Sequence, residues 1–534
     1  LHGGVLEFTS IGRGGEPSAL GASQEFSQNW VMDGGTYRYT GPDATTNRSA
    51  RLYNDTSLDI DHATVTIEDG SNATAFEGDG SLVIAGNGQL TVAARNLFQF
   101  EGDLVLRGSN VYLSTADIAK QGIGKARRLV MEGGKLSTKG ESAGYETYSF
   151  PIYVPDGEAI STFAPNRNCY IKSTVTGTGT LQLDIPYLRE YIQGNWQGFT
   201  GRLIANGVNS NKSEGSLLLI NSESTDLPAT AVTLQGNARV CAWATNGTFE
   251  LGGLSGVKGT YLMGSSKNTK NFTCTWLVGM ANTDEQFDGI INNWDCGGAD
   301  RGGTVSIEKR GTGIWRLTGA NIYKGTTTVS GGSLVVNGAH TGTGAVTVKN
   351  GATLAGEGTL AGKVTVQKGG TIHAGDTVTS VKTLTLNGGL TVQADGVVEI
   401  PLTTAGNFAR SNKIKVSGNL QVNDAVLSLD ISEAPQIPDG KSFTLFDLSN
   451  ATVSGTGFSR IEPEQPSATQ EWDTSELLTT GRIYVRAVGW QGLGSISEDK
   501  AAPASKTFNL GGRSVSGSQP GIVVREGKKS LGRH

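Results

Sequence analysis

Apolar residues along this chain come in short runs that alternate with polar ones and stop at glycine or asparagine. Residues 346–356 read VTVKNGATLAG and residues 364–374 read VTVQKGGTIHA. Val346, Val348 and Leu354 recur as Val364, Val366 and Ile372, at an offset of 18. The pattern returns at LTLNGGLTV, residues 384–392, after a further 20. A period of two places one face of each strand against a core and the other in water. The N-G and G-G pairs supply positive φ at the corners, where a Cβ would clash. A unit of about 20 residues with two or three short strands has the size of one coil of a parallel β-helix. One coil cannot bury its apolar face alone, whereas a stack of coils makes one continuous core.

The same grammar runs upstream with looser spacing, as in SLVIAGNGQLTV at 81–92, TVTGTGTLQLDI at 174–185 and AVTLQGNARVCAW at 231–243. The drift predicts loops inserted between coils around 139–170 and 186–200. Coils through residues 1–400 would number roughly twenty and stack to on the order of 100 Å. A helical period shows only in YLREYIQ, residues 187–193, where one or two turns are predicted. From residue 401 the strands lengthen (413–432, 441–455), which predicts a β-rich cap over 401–488 that covers the end of the stack. Residues 489–506 read as a polar linker and 507–534 as a short β tail. The predicted fold is all-β: a right-handed parallel β-helix over 1–400, most regular at 303–392, with irregular inserted loops, a β-rich C-terminal cap and the tail.

Composition supports one repetitive body rather than several ordinary domains. The 534 residues include 77 Gly and only 14 Pro, and 17% are charged. Glycine without proline is neither collagen nor a proline-rich linker. The net charge of −5 gives no electrostatic reason to bind nucleic acid or an anionic membrane. No apolar run approaches the ~18 residues of a membrane-spanning helix. The chain starts at Leu1 and lacks a signal peptide's charged start and apolar core, so it reads as a mature protein or the C-terminal part of a longer product. Cys169, Cys241, Cys274 and Cys296 contain no C-x-x-C pair, which argues against a zinc or redox motif. Cys274 and Cys296 bridge if they lie on neighbouring turns; otherwise the thiols act as small apolar residues.

Residues 307–338, IEKRGTGIWRLTGANIYKGTTTVSGGSLVVNG, closely resemble the autotransporter-associated β-strand repeat of Gram-negative surface proteins. The residues that carry the likeness are Lys309, Gly311, Gly313, Trp315, Leu317, Thr318, Gly319, Asn321, Tyr323, Gly325, Thr328, Val329, Gly331, Gly332 and Leu334. Alternation within this stretch points Trp315 and Leu317 inward and Arg316 and Thr318 toward water. The resemblance extends more loosely over most of residues 1–487. The tail, NLGGRSVSGSQPGIVVREGKK, is similar to type IX secretion sorting signals at Asn509, Leu510, Gly512, Val515, Gly521, Ile522 and Val524. Val523 stands where such tails usually carry Tyr, and the chain ends LGRH rather than in an apolar-basic tip. No C-terminal membrane barrel of ~10-residue amphipathic strands follows.

Three clusters are candidate chemistry. Asp59 and Asp61 share one strand face beside His62, the arrangement of an acid–base pair or a calcium site, and equally of a solvated face. Asp295, Asp300 and Arg301 lie in the glycine loop WDCGGADRGG, and β-helix polysaccharide lyases use acidic residues with an Arg on the coil surface. Tyr187, Tyr191 and Trp196 are placed to stack on sugar rings or to seal a loop onto the core. None of these is assigned as catalytic, and no cofactor or metal is expected. The resemblance implies a secreted or cell-surface structural and adhesive passenger, with glycans or a host or neighbouring cell surface as partners and secretion machinery acting on the tail. The alternative is a carbohydrate-active β-helix protein, a lyase or a hydrolase, or the non-catalytic C-terminal part of one.

Overall fold

Parallel pairing between successive coils builds nearly all of the fold. The computed structural model describes residues 2–70, 74–114, 122–139, 145–186, 189–209, 215–220, 227–243, 246–265, 268–375, 381–405, 408–434, 436–489, 507–509, 514–515, 521–525 and 528–532. Among them the helical content is one 3₁₀ turn, Ser27–Asn29. The chain divides into two compact units, Leu1–Arg486 and Ala487–His534.

The first unit is a parallel β-helix. One wall is an eight-stranded sheet that climbs from Val5–Phe8 through Thr36–Tyr39 and Thr56–Ile60 to Val175–Gly177. A second wall begins at Ala44–Thr46 and Thr64–Ile67 and continues through Thr180–Ile185, Arg202–Gly207 and Leu227–Gly236 into the regular repeats. The third wall changes partway. Its first four strands, Val31–Asp33 to Asn96–Phe100, form one sheet. A seven-stranded sheet from Glu146–Tyr148 to Ile290–Ile291 follows.

The 18-residue offset is a coil: Val346 pairs with Val364, Val348 with Val366 and Leu354 with Ile372. All six are buried in one core. The next expected recurrence has a different register. Val364 and Val366 pair with Leu390 and Val392, while Leu386 stacks on Leu360. Extra residues before Thr383 lengthen this coil, so the matching strand arrives later than a constant offset predicts. The predicted turn at 187–193 is also corrected, because Arg189–Ile192 is a strand between Cys169–Ile171 and Ser216–Ile220. Ladder partners on both sides outweigh a weak local helical period. Tyr187 and residues 490–506 lie outside the described residues.

Past residue 396, Val397–Ala405 folds back antiparallel onto Phe408–Ser411. Two long parallel strands follow, Lys413–Glu433 and Phe446–Glu462. A three-stranded sheet of Ser442–Thr444, Arg482–Ala487 and Gln470–Asp473 adjoins them in sequence. In the second unit, Ser514–Val515, Thr507–Asn509, Gly521–Arg525 and Lys528–Gly532 form a four-stranded antiparallel sheet in that order.

Candidate functional site

Two neighbouring strands of the seven-stranded sheet, Ser216–Ile220 and Ala238–Ala242, are buried on both faces. Ser216–Ile220 reads SLLLI and every residue of it is buried. Alternation sends Leu218 and Ile220 into the main core, and Leu217 and Leu219 into a second cluster with Tyr191, Cys241, Met263 and Cys296. Tyr170, Trp243, Tyr261 and Trp294 are half-buried against that cluster. The rings meet in two groups, Tyr145, Tyr170, Tyr191 and Trp243 in one and Tyr261 and Trp294 in the other. Tyr170 and Tyr191 stack with centroids 4.8 Å apart and planes inclined by 29°, and Trp243 meets Tyr191 edge-on at 4.8 Å. Tyr145, 40% exposed, closes on Tyr170 at 5.1 Å.

Beside this face a groove of about 470 Å³ opens along the coil corners, lined by Gly207, Asn209, Asn237, Arg239, Gly259 and Tyr261. The Arg239 guanidinium sits 5.3 Å over the Tyr261 ring, and the two residues are ladder partners. The two asparagines are braced by their own loops: Asn237 Nδ2 donates to the Asn209 carbonyl at 2.9 Å, and Asn209 Nδ2 to the Gly215 carbonyl at 2.8 Å. An aromatic ring, a guanidinium and amides along one groove are the groups that hold polar, ring-shaped ligands.

The residues singled out in the sequence have other geometries. Asp59 accepts a 2.7 Å bond from Arg38 Nε, and the Asp61 carboxylate lies 3.4 Å from the exposed His62. Asp295 is fully buried and accepts from the Ala299 and Asn268 amides and from Arg301 Nε at 2.6–3.0 Å. Burial pushes its carboxyl up, but these donors outweigh burial and hold it below the usual carboxylate range. Asp300 instead pairs with Lys324 at 2.9 Å. The loop is thus a braced turn, with Asp295 as its internal anchor. Tyr191 and Trp196 do not meet, since Tyr191 belongs to the outer cluster and Trp196 to the main core. Among the described residues no group of three or more metal-ligating side chains converges.

All four cysteines are buried. Cys274 points into the core and Cys296 into the outer cluster, so these two do not bridge. Sequence reading missed the aromatic face because its members arrive one per coil from separate strands. The available signal was SLLLI, a run with no polar alternate, which marks a strand buried on both sides.

The repeat's signature residues hold coils together. Lys309 is buried, and its ammonium donates to the carbonyls of Arg310, Gly311 and Gly331 at 2.5, 3.3 and 3.2 Å. Burial lowers its pKa to about 8. Asn321 Oδ1 accepts the Ile291 amide of the coil before at 2.9 Å. Tyr323 is buried with its hydroxyl 2.7 Å from Thr327 Oγ1, and Trp315 Nε1 donates to the Leu254 carbonyl at 2.8 Å. Trp315 and Leu317 are buried, and Arg316 and Thr318 half-buried, as the alternation predicts.

Comparison with known proteins agrees with this construction. The Passenger-associated-transport-repeat family matches residues 307–336. Over 193 residues, 34% of this chain, the sequence is 26% identical to the adhesin BmaC autotransporter of Brucella suis biovar 1 (strain 1330). The match spans 5% of that adhesin's length. No helix among the described residues is long and apolar enough to cross a membrane.

Proposed function

We propose that this chain is a secreted or cell-surface passenger of a Gram-negative bacterium, acting as a rigid display and adhesion surface. One observation carries the reading: the matched repeat is no separate module but a run of strands within the ladder. Thr304–Lys309 pairs back to Thr273–Val278 and forward to Thr327–Val329. A passenger made this way works by architecture, holding polar faces and grooves in fixed register for many weak contacts. The likeness to an autotransporter adhesin supports the adhesive role. Residues 401–488 close the stack in this reading, and the 507–534 tail addresses the chain to its secretion machinery.

Surface glycans are the proposed partners, with the Arg239–Tyr261 groove as a contact site. Glycan-array binding by the purified chain tests this. Retained binding to a defined glycan set, weakened about tenfold or more by Tyr261→Ala, is the expected result. Binding indifferent to Tyr261→Ala removes the groove from the reading. Release of reducing ends from any polysaccharide would replace the passenger role with an enzymatic one.

A further inference from the structure

Cys241 and Cys296 are 55 positions apart in sequence, yet both sulfurs are buried in the outer cluster of the seven-stranded sheet. Cys241 lies on Ala238–Ala242, paired with Leu219 of the preceding coil. Cys296 sits in the turn after Trp294, its amide donating 2.8 Å to the Ser265 carbonyl. The turn is held from within, by Gly298 N to Asp295 O at 2.8 Å and by the Asp295–Arg301 pair. After burial, Cys296 is the neighbour that most raises the Cys241 thiol, and Arg239 and Asp295 are the charged groups that act on it. The other two cysteines, Cys169 and Cys274, face the main core and not this cluster.

We infer that Cys241 and Cys296 form a disulfide that staples the loop carrying Asp295 to the outer face of the sheet. The inference rests on the reading of the chain as exported, because the cytosol keeps such pairs reduced. The oxidant is a small-molecule or protein disulfide. A Cys thiolate attacks one oxidant sulfur, breaking the oxidant's S–S bond and releasing one of its halves as a thiol. The second Cys then attacks the mixed disulfide and releases the other half as a thiol. One S–S bond is lost and one is formed, and the two protons of the cysteines end on the two released thiols. Burial raises the Cys241 thiol well above its ordinary pKa and disfavours the thiolate. Oxidation therefore belongs to folding, before the turn closes over the sheet.

The full chain made by cell-free synthesis with reduced and oxidised glutathione, then denatured, alkylated and mapped by mass spectrometry, tests the pairing. The expected product has one internal link joining the Cys241 and Cys296 peptides, alkylated Cys169 and Cys274, and a mass ~2 Da below the reduced chain before alkylation. Cys274→Ser keeps the link; Cys241→Ser loses it and leaves Cys296 alkylated. Four alkylated thiols in the wild type, a glutathione adduct in place of the link, or a link through Cys169 or Cys274 would overturn the pairing. Synthesis in vitro does not depend on export, so failure here leaves the passenger reading intact. A chain confined to the cytosol would sink that reading without touching the chemistry.

Discussion

A column of glycines shows what the repeat demands of single residues. An ideal Cβ on Gly319 would lie 1.8 Å from the Gly289 carbonyl oxygen. On Gly338 it would lie 2.2 Å from the Gly319 oxygen, and on Gly358 2.1 Å from the Gly338 oxygen. These three corners are glycine because the coil beneath leaves no room, whatever their φ. Gly338→Ala is expected to lower stability by about 1–3 kcal/mol, read by urea or thermal unfolding, while Gly3→Ala, with open space around it, leaves stability unchanged. His340 is a second sensitive residue. It is buried and stacked 4.0 Å from the Tyr323 ring, and burial lowers its pKa. The unfolded chain therefore takes up this proton first as pH falls through ~6.5, so the group's contribution is full above that pH and fades below it. Unfolding curves at pH 7 and pH 5.5 are expected to show this loss, and His340→Gln to flatten it. An unaltered pH slope in that variant would assign the acid sensitivity to other groups.

The coil is the unit that can be added or removed. Deleting residues 346–363 would set Val364–Val366 on Thr327–Val329 and Thr371–Ala374 on Gly332–Val336. It would also set Thr383–Leu386 against Ala339–His340, preserving every inward position. The shortened chain is expected to fold with an unchanged β circular dichroism spectrum, whereas deleting only 346–354 should not, since half a coil leaves strands without partners. Failure of the whole-coil deletion would count against independent stacking. This element-level order was largely legible in the sequence, since a period of two and an offset of 18 are local signals. The register beyond Thr371 was not, because an insertion between strands changes the offset without changing either strand. Nor was the strand at Arg189–Ile192, whose state is decided by neighbours one coil away. The aromatic outer face and the Cys241–Cys296 contact were hidden for the same reason, as residues on successive coils meet only after stacking.

At the scale of the molecule, the candidate carboxylates are absorbed into bracing, and the apolar investment lies in a core that runs from coil to coil. Asp59 and Asp300 answer basic neighbours, and Asp295 anchors its own loop. What distinguishes the surface is the aromatic face and the adjoining groove, which the proposed adhesive role would use for contact. A surface passenger must stand outside the cell that makes it. Antibody labelling of intact producing cells, scored by flow cytometry against permeabilised controls, tests that most directly. The account predicts labelling of intact cells that disappears on brief external protease treatment before staining. Labelling that requires permeabilisation, with the chain untouched by external protease, would contradict it.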